Sequence, residues 1–242
     1  MFLRIVFGFC ALAFVAGCEV VPVDGSGTTA APSAAGPSTF RPDTQSARAF
    51  AQVTTLVEPI AERECSARTS GVNCDFRIVI DDRPNQPSNA YQFLDRNQRP
   101  VLAFTTKLIQ DVKNVDELAF VMGHEAAHHI LGHIARQQQN AVAGAVIFAG
   151  LATLTGATAA GVDEATKLGA QVGARSYSKD FELEADALGT VITHRAGFSP
   201  LKGAAFFTRI PDPGDRFLGT HPPNAARIEI VRRTAARVRS GS

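Results

Sequence analysis

The sequence predicts a mainly helical α+β domain with one small sheet, and three observations carry that expectation. The stretch from Asn114 to Arg136, NVDELAFVMGHEAAHHILGHIAR, places Leu118, Val121 and Met122 at helical spacing, behind Asn114 as N-cap and Glu117 as its reciprocal partner. Helical patterns also stand on either side of it, from Asp43 to about Ser70 and from Tyr177 to about Ala196. Between the first and second of these helices lie short β-branched and aromatic runs separated by turn residues, which read as strands.

The chain has 242 residues, enough for one medium-sized core, and 24 Lys and Arg against 23 Asp and Glu. A net charge of +1 gives no sign of nucleic-acid binding. Residues 1–17 read as a signal peptide, with Arg4 as the positive region and Ile5 to Ala16 as a short apolar run. That run is too short to span a bilayer comfortably. Val15-Ala16-Gly17-Cys18 follows and resembles a bacterial lipobox. The resemblance implies cleavage before Cys18 and its acylation, and Glu19, in place of an aspartate, implies the outer membrane as destination. Residues 18–42 are rich in Pro, Gly, Ser, Thr and Ala and read as a tether, leaving 43–242 as the folded domain.

The helix expected from Asp43 to Ser70 rests on the pattern Ala47, Phe50, Ala51, Val53, Thr54, Val57, Ile60 and Ala61, with Pro59 suggesting a kink or a break into two helices. Cys65 and Cys74 flank the loop after it and are expected to pair as a disulfide in an oxidising compartment, a second metal site being the alternative. Phe76 to Asp81 reads as the first strand, Asn89-Ala90-Tyr91 begins a second, and Pro100 to Thr105 makes a third. Such a sheet either offers an edge to an extended peptide or only packs against helices.

The helix after the sheet holds the chemistry. His124 and His128 stand four residues apart, so both imidazoles leave one face at the separation two ligands of a tetrahedral zinc need, with Glu125 beside them. Three protein ligands and an open position make a catalytic zinc site, where the metal lowers the pKa of water towards ~7 and Glu125 takes the proton. The pattern is short, and buried histidines that only bond within a core are its alternative. His129 and His133 miss the spacing H-E-x-x-H-x-x-G-x-x-H, because Leu131 and Ile134 occupy its Gly and His positions. His129 reads as a packing residue, and His133 as one favoured at a helix end.

From Ala141 to Val162 the chain is uncharged and weakly apolar, and Gly150 and Gly156 divide it; short helices, buried or docked on the surface, are expected, with a membrane span as the alternative and contact with the bilayer surface or another protein left open. Tyr177 to Ala196 starts another helix, closed by Gly197. In it Glu182 and Asp186 share a face, either as a metal ligand with a partner for a ligating histidine or as a solvated acidic face, and Glu184 points elsewhere. His194 reads as a helix-end residue, and Arg232, Arg233, Arg237 and Arg239 as a solvated basic face, with attraction to anionic lipid as the alternative.

H-E-x-x-H at His124 to His128, followed by Y-S-K-D-F-E-L-E-A-D at Tyr177 to Asp186, resembles the HtpX-like and CAAX-prenyl-endopeptidase family of gluzincin zinc metallopeptidases, which includes Oma-type and bacterial outer-membrane lipoprotein members. Lys179 stands where an arginine is usual, and Gln92 to Arg99 replaces the family's Pro-Gly-Gly segment. The resemblance implies one Zn2+ per chain held by His124, His128 and Glu182, with Asp186 orienting a zinc-binding histidine. It also implies that His221, in Thr220-His221-Pro222, borders the site as an extra ligand that moves away for turnover. Arg227 would stabilise the oxyanion. A lipid-anchored metalloendopeptidase on the periplasmic face of a Gram-negative outer membrane follows, acting on misfolded or stalled envelope proteins, with outer-membrane assembly machinery as a possible partner and no nucleic acid. The alternative is a chaperone-like or assembly-factor lipoprotein whose zinc site is closed and weakly active.

Overall fold

A computed structural model describes residues 45–176, 178–212, 214 and 221–241. The expected signal peptide, Cys18 with its tether, and Tyr177 lie outside the described residues. Along the chain run α1 (Gln45–Arg68), β1 (Arg77–Asp81), β2 (Ala90–Leu94), β3 (Pro100–Thr105), α2 (Thr106–Asp111), α3 (Val115–Ile130), α4 (His133–Leu154), α5 (Ala159–Ser176), α6 (Ser178–Arg195), α7 (Pro200–Gly203), a 3-10 turn (Ala204–Thr208) and α8 (Asn224–Ser240). The expected class holds: mainly helical α+β, with the sheet ahead of the H-E-x-x-H helix.

One face of α1 is buried through Phe50, Val53, Val57, Ala61 and Cys65. Pro59 does not break it. The ring falls on the exposed side, where water can serve the carbonyl that loses its N–H partner, and the buried face runs on unbroken past it. After the helix the sulfurs of Cys65 and Cys74 meet, with Cα atoms 5.7 Å apart, inside the range a disulfide spans.

The sheet has the order β1-β3-β2, β1 running parallel and β2 antiparallel to β3. All six residues of the central strand β3 are buried. The β2–β3 turn is tied by the Asp95 carboxylate, which accepts from the backbone N–H of Asn97 (2.8 Å) and Arg99 (3.0 Å). Thr105 ends the sheet and caps α2, its hydroxyl accepting from Leu108 N.

Helix α3 is buried almost all round, as a helix at the centre of a domain must be. Leu118, Val121, Met122 and Ala126 join the core built with α1 and the sheet, while Phe120 turns to a second cluster with Ala204, Phe207 and Val231. Asn114 caps α3 as expected, accepting from Glu117 N at 2.9 Å. The reciprocal bond shifts by one residue: Glu117 accepts from Lys113 N, and Arg209 closes on its carboxylate. Asn114→Ala is expected to cost about 1 kcal/mol, read as a lower urea midpoint at unchanged slope.

Helix α6 crosses α3 where two glycines meet. A Cβ on Gly189 would lie 2.9 Å from His124 N, and one on Gly123 3.0 Å from Gly189 O, so any larger residue would force the helices apart. This close approach carries the acidic residues of α6 up to the histidines of α3.

Three local expectations are corrected. The helix expected over 114–136 ends at Ile130, because Gly132 takes a left-handed conformation (φ 65°) and α4 starts afresh at His133. The single helix expected over 201–210 is a short α turn followed by a 3-10 turn. Asn224 is the first residue of α8 rather than its cap, donating from its amide side chain to Ile210 O (3.2 Å). The segment 141–162 is neither buried nor divided at Gly150: α4 runs through that glycine to Leu154, and α4 and α5 form a hairpin whose outer side is exposed. Among the described residues no helix is long and apolar enough to cross a membrane.

Candidate metal centre

His124, Glu125 and His128 are all buried on α3, and Glu182 and Asp186 are buried on α6. His124, His128 and Glu182 each offer one donor atom, all within 4.8 Å of one another. His124 Nε2 lies 3.0 Å from His128 Nε2, His128 Nε2 3.3 Å from Glu182 Oε1, and His124 Nε2 3.7 Å from Glu182 Oε2. Donors of a tetrahedral zinc at bond lengths near 2.0–2.1 Å stand about 3.3 Å apart, and these separations bracket that value.

The outer partners say which nitrogens carry protons. His124 Nδ1 is 3.0 Å from Asp186 Oδ1; the carboxylate only accepts, so Nδ1 carries a proton and Nε2 is the nitrogen turned to the three-donor group. His133 Nε2 is 3.1 Å from Glu184 Oε2, so His133 donates there and keeps Nδ1 as an acceptor. His128 Nδ1, 2.8 Å from that acceptor, is therefore the donor. Burial pushes the pKa of His128 down but Glu182 outweighs it and raises it, so its Nε2 shares a proton with the Glu182 carboxylate, and a bound metal would displace that proton. The two imidazole Nε2 atoms thus face each other beside a buried carboxylate, and Glu182 Oε2 makes no hydrogen bond among the described residues. Two imidazole nitrogens and a carboxylate oxygen converging at one buried point are a donor set that fits zinc.

The structure brings His124, His128, Glu182 and Asp186 together and adds His133 and Glu184, which the sequence reading had set aside. Gly132 reverses the chain so that His133, fully buried, reaches back to His128 and stacks on Phe181 (ring centroids 4.7 Å apart). Glu184 is not idle: Arg136 donates to it at 2.6 Å, and it sets the tautomer of His133. Burial and the neighbouring His128 push His133 down to about 3, which keeps it neutral as the relay requires. The signal present in the sequence was an acidic residue on the opposite face of α6; its target was invisible until the turn at Gly132 was known. His133→Ala is expected to lower zinc affinity about 10- to 100-fold while leaving the three donors in place, measured by competition with a chromophoric chelator.

Arg227 enters from α8. Its Nε and Nη2 donate to the two oxygens of Asp186, both at 2.7 Å, while Nη2 lies 3.4 Å from Glu182 Oε2 and the guanidinium stacks 3.9 Å from the Phe207 ring. Burial pushes the Glu182 carboxyl up, but Arg227, His128, His221 and His124 outweigh it and hold it well below the usual carboxylate range. Asp186 is likewise raised by burial and lowered more strongly by Arg227 and His124. Both are anions in the folded chain. Glu125 is 2% exposed, and its charge reaches His128. His221 Nδ1 stands 3.4 Å from Glu182 Oε2, beside the three-donor group without belonging to it. His129, as expected, is a packing residue: its Nε2 is 2.8 Å from Asn73 O and its ring meets Phe76 edge-on.

The comparisons with known proteins point to the same chemistry. The model of Peptidase family M48 matches residues 47–235. The chain is 29% identical over 177 residues to a beta-barrel assembly-enhancing protease of Escherichia coli O157:H7, covering 64% of this chain and 34% of that protein. It is 29% identical over 191 residues to the protein of that name from Yersinia pestis, covering 70% and 36%. A putative beta-barrel assembly-enhancing protease of Vibrio cholerae is 32% identical over 132 residues, covering 50% and 26%. The matched part thus spans about a third of the length of these relatives. With nearly the whole described domain matched and its three donors, Glu125 and Asp186 gathered at one buried point, the chain belongs to peptidase family M48.

Proposed function

We propose that this chain is a zinc-dependent metalloendopeptidase of the cell envelope, held to the periplasmic face of a Gram-negative outer membrane by acylated Cys18, with Cys65 and Cys74 oxidised to a disulfide. The observation that carries the catalytic part is the convergence of His124 Nε2 and His128 Nε2, 3.0 Å apart, with the Glu182 carboxylate, and Glu125 buried next to them. When bound, zinc would polarise the scissile carbonyl and make a water acidic enough to attack it. Glu125 takes the proton of the attacking water and passes it to the departing amine. Asp186 holds His124 through Nδ1, and Arg227 holds Asp186; the oxyanion role expected of Arg227 belongs to the proposal as well. Similarity to the beta-barrel assembly-enhancing proteases supports misfolded or stalled envelope proteins as substrates and outer-membrane assembly machinery as the setting.

The placement of His221 also favours a second reading, a client-binding lipoprotein with a closed site, because a fourth ligand beside Glu182 would leave no open position. Degradation of casein by the purified full-length chain separates the two. We expect cleavage that stops on chelation and returns with stoichiometric zinc, and a faster rate for His221→Ala because the resting site is opened. Binding of casein without cleavage by wild type, with cleavage appearing only in His221→Ala, would instead support the closed-site reading.

A further inference from the structure

The outer face of α4 changes character along its length. Exposed positions recur at intervals of three and four, beginning with Gln138 and Gln139 near the body and continuing outward as Val142, Val146, Ile147, Leu151 and Leu154. These five apolar side chains are between 60% and 87% exposed. No charged residue occurs from Gln137 to Val162. The side of α4 opposite to this stripe packs on α5, where the backbones close in at Gly144 against Gly169 and at Asn140 against Gly173. The outer side of α5 carries Asp163, Glu164, Lys167, Gln171 and Arg175, with Lys167 bridging Asp163 (2.6 Å) and Glu164 (3.2 Å). One face of the hairpin is apolar and the other charged.

We propose that this hairpin lies flat on a phospholipid bilayer, the α4 stripe seated at the level of the upper acyl chains and the α5 face in water. The large exposed apolar side chains toward the tip, the polar base and the charged opposite face are the pattern of an interfacial helix. Entry tip-first is disfavoured, because Asp163 and Glu164 lie in the first turns of α5, next to the tip, and would have to enter the hydrocarbon. A second copy of the chain is a poorer occupant. The stripe from Val142 to Leu154 is about 18 Å long and about 10 Å wide, roughly 200 Å², against about 800 Å² per partner in a stable protein interface. The chain itself supplies a bilayer: the sequence from Cys18 to Gln45, taken as a coil, reaches roughly 30 Å, so an acylated Cys18 keeps the domain within the height of one helix of the membrane. In this last point the inference rests on the lipid-anchor reading above.

The protein contains no tryptophan, so a single one reports its own surroundings. Leu151→Trp on the stripe and Leu168→Trp on α5 would each be introduced into the full-length chain and reconstituted into phosphatidylethanolamine/phosphatidylglycerol vesicles with and without brominated acyl chains. The tryptophan at 151 is expected to shift to the blue in lipid and to lose roughly half of its emission or more to the brominated chains, while that at 168 keeps the emission of a water-exposed indole. Absence of quenching at 151, whether or not the chain floats with vesicles, overturns the proposal. So does a blue shift at 151 that is present without lipid in a chain sedimenting as a dimer, which would assign the stripe to a second copy. The mass of the chain purified from membranes reports on the anchor separately: a diacylglyceryl adduct at Cys18 supports acylation, and its absence removes the anchor reading while the quenching at 151 still decides the hairpin.

Discussion

Glu125→Gln is expected to leave one zinc per chain and an unchanged urea midpoint, while casein cleavage falls by about 10²- to 10⁴-fold. The amide keeps the size of the carboxylate in a position only 2% exposed, so packing is preserved. It cannot accept the proton of the attacking water, so the loss falls on the chemical step, and kcat should drop with KM nearly unchanged. His124, His128 and Glu182 keep their outer partners in this variant, which is why metal content should hold. Equal cleavage by Glu125→Gln and wild type would remove Glu125 from the mechanism, and loss of zinc would make it a ligand instead.

Arg227→Met should have the largest effect on stability, about 3–5 kcal/mol, read from urea unfolding at pH 7 with chelator present. Arg227 is 3% exposed and faces two buried carboxylates, Asp186 through two bonds and Glu182 at 3.4 Å. Methionine fills a similar volume against Phe207 but leaves both anions in the core without that counter-charge. The sign with pH follows from the depressed Asp186 carboxyl. In the wild type its contribution is present above the unfolded value near 3.9 and is lost as pH falls through the lower folded value. In the variant the carboxyl loses its main cause of depression, so the deficit should be greatest at neutral pH and shrink as the solution is acidified. An unchanged midpoint at pH 7 would show that the α6–α8 contact holds without this ion pair. Zinc, by neutralising Glu182 and binding the histidine that Asp186 holds, should return part of the loss when the chelator is omitted.

Local rules made much of this protein legible in one dimension. The cap at Asn114, the three-and-four spacing of Phe50 to Cys65, the turn at Asp95 and the four-residue spacings of His124 with His128 and Glu182 with Asp186 depend on neighbours a few residues apart, and a sequence displays such neighbours directly. The family likeness joined the two halves of the site before any distance was known, and the crossing at Gly123 and Gly189 supplies the contact.

What only the tertiary structure decided depends on groups far apart in the chain or on one backbone angle. The turn at Gly132 sends His133 back to His128, and without it Glu184 has no visible task. Pro59 could not be judged until the exposed side of α1 was known, and the uncharged run after Asn140 could not be told from a buried helix until α5 was seen to cover one side and leave the other open. Spacing thus determined most of the elements and the pairing of His124 with His128, and the family likeness supplied Glu182, Asp186 and the kind of chemistry. The tautomers of the histidines, the counter-charge from Arg227 and the exposed apolar stripe were set by packing, because each requires partners that only the folded chain brings within a few ångströms.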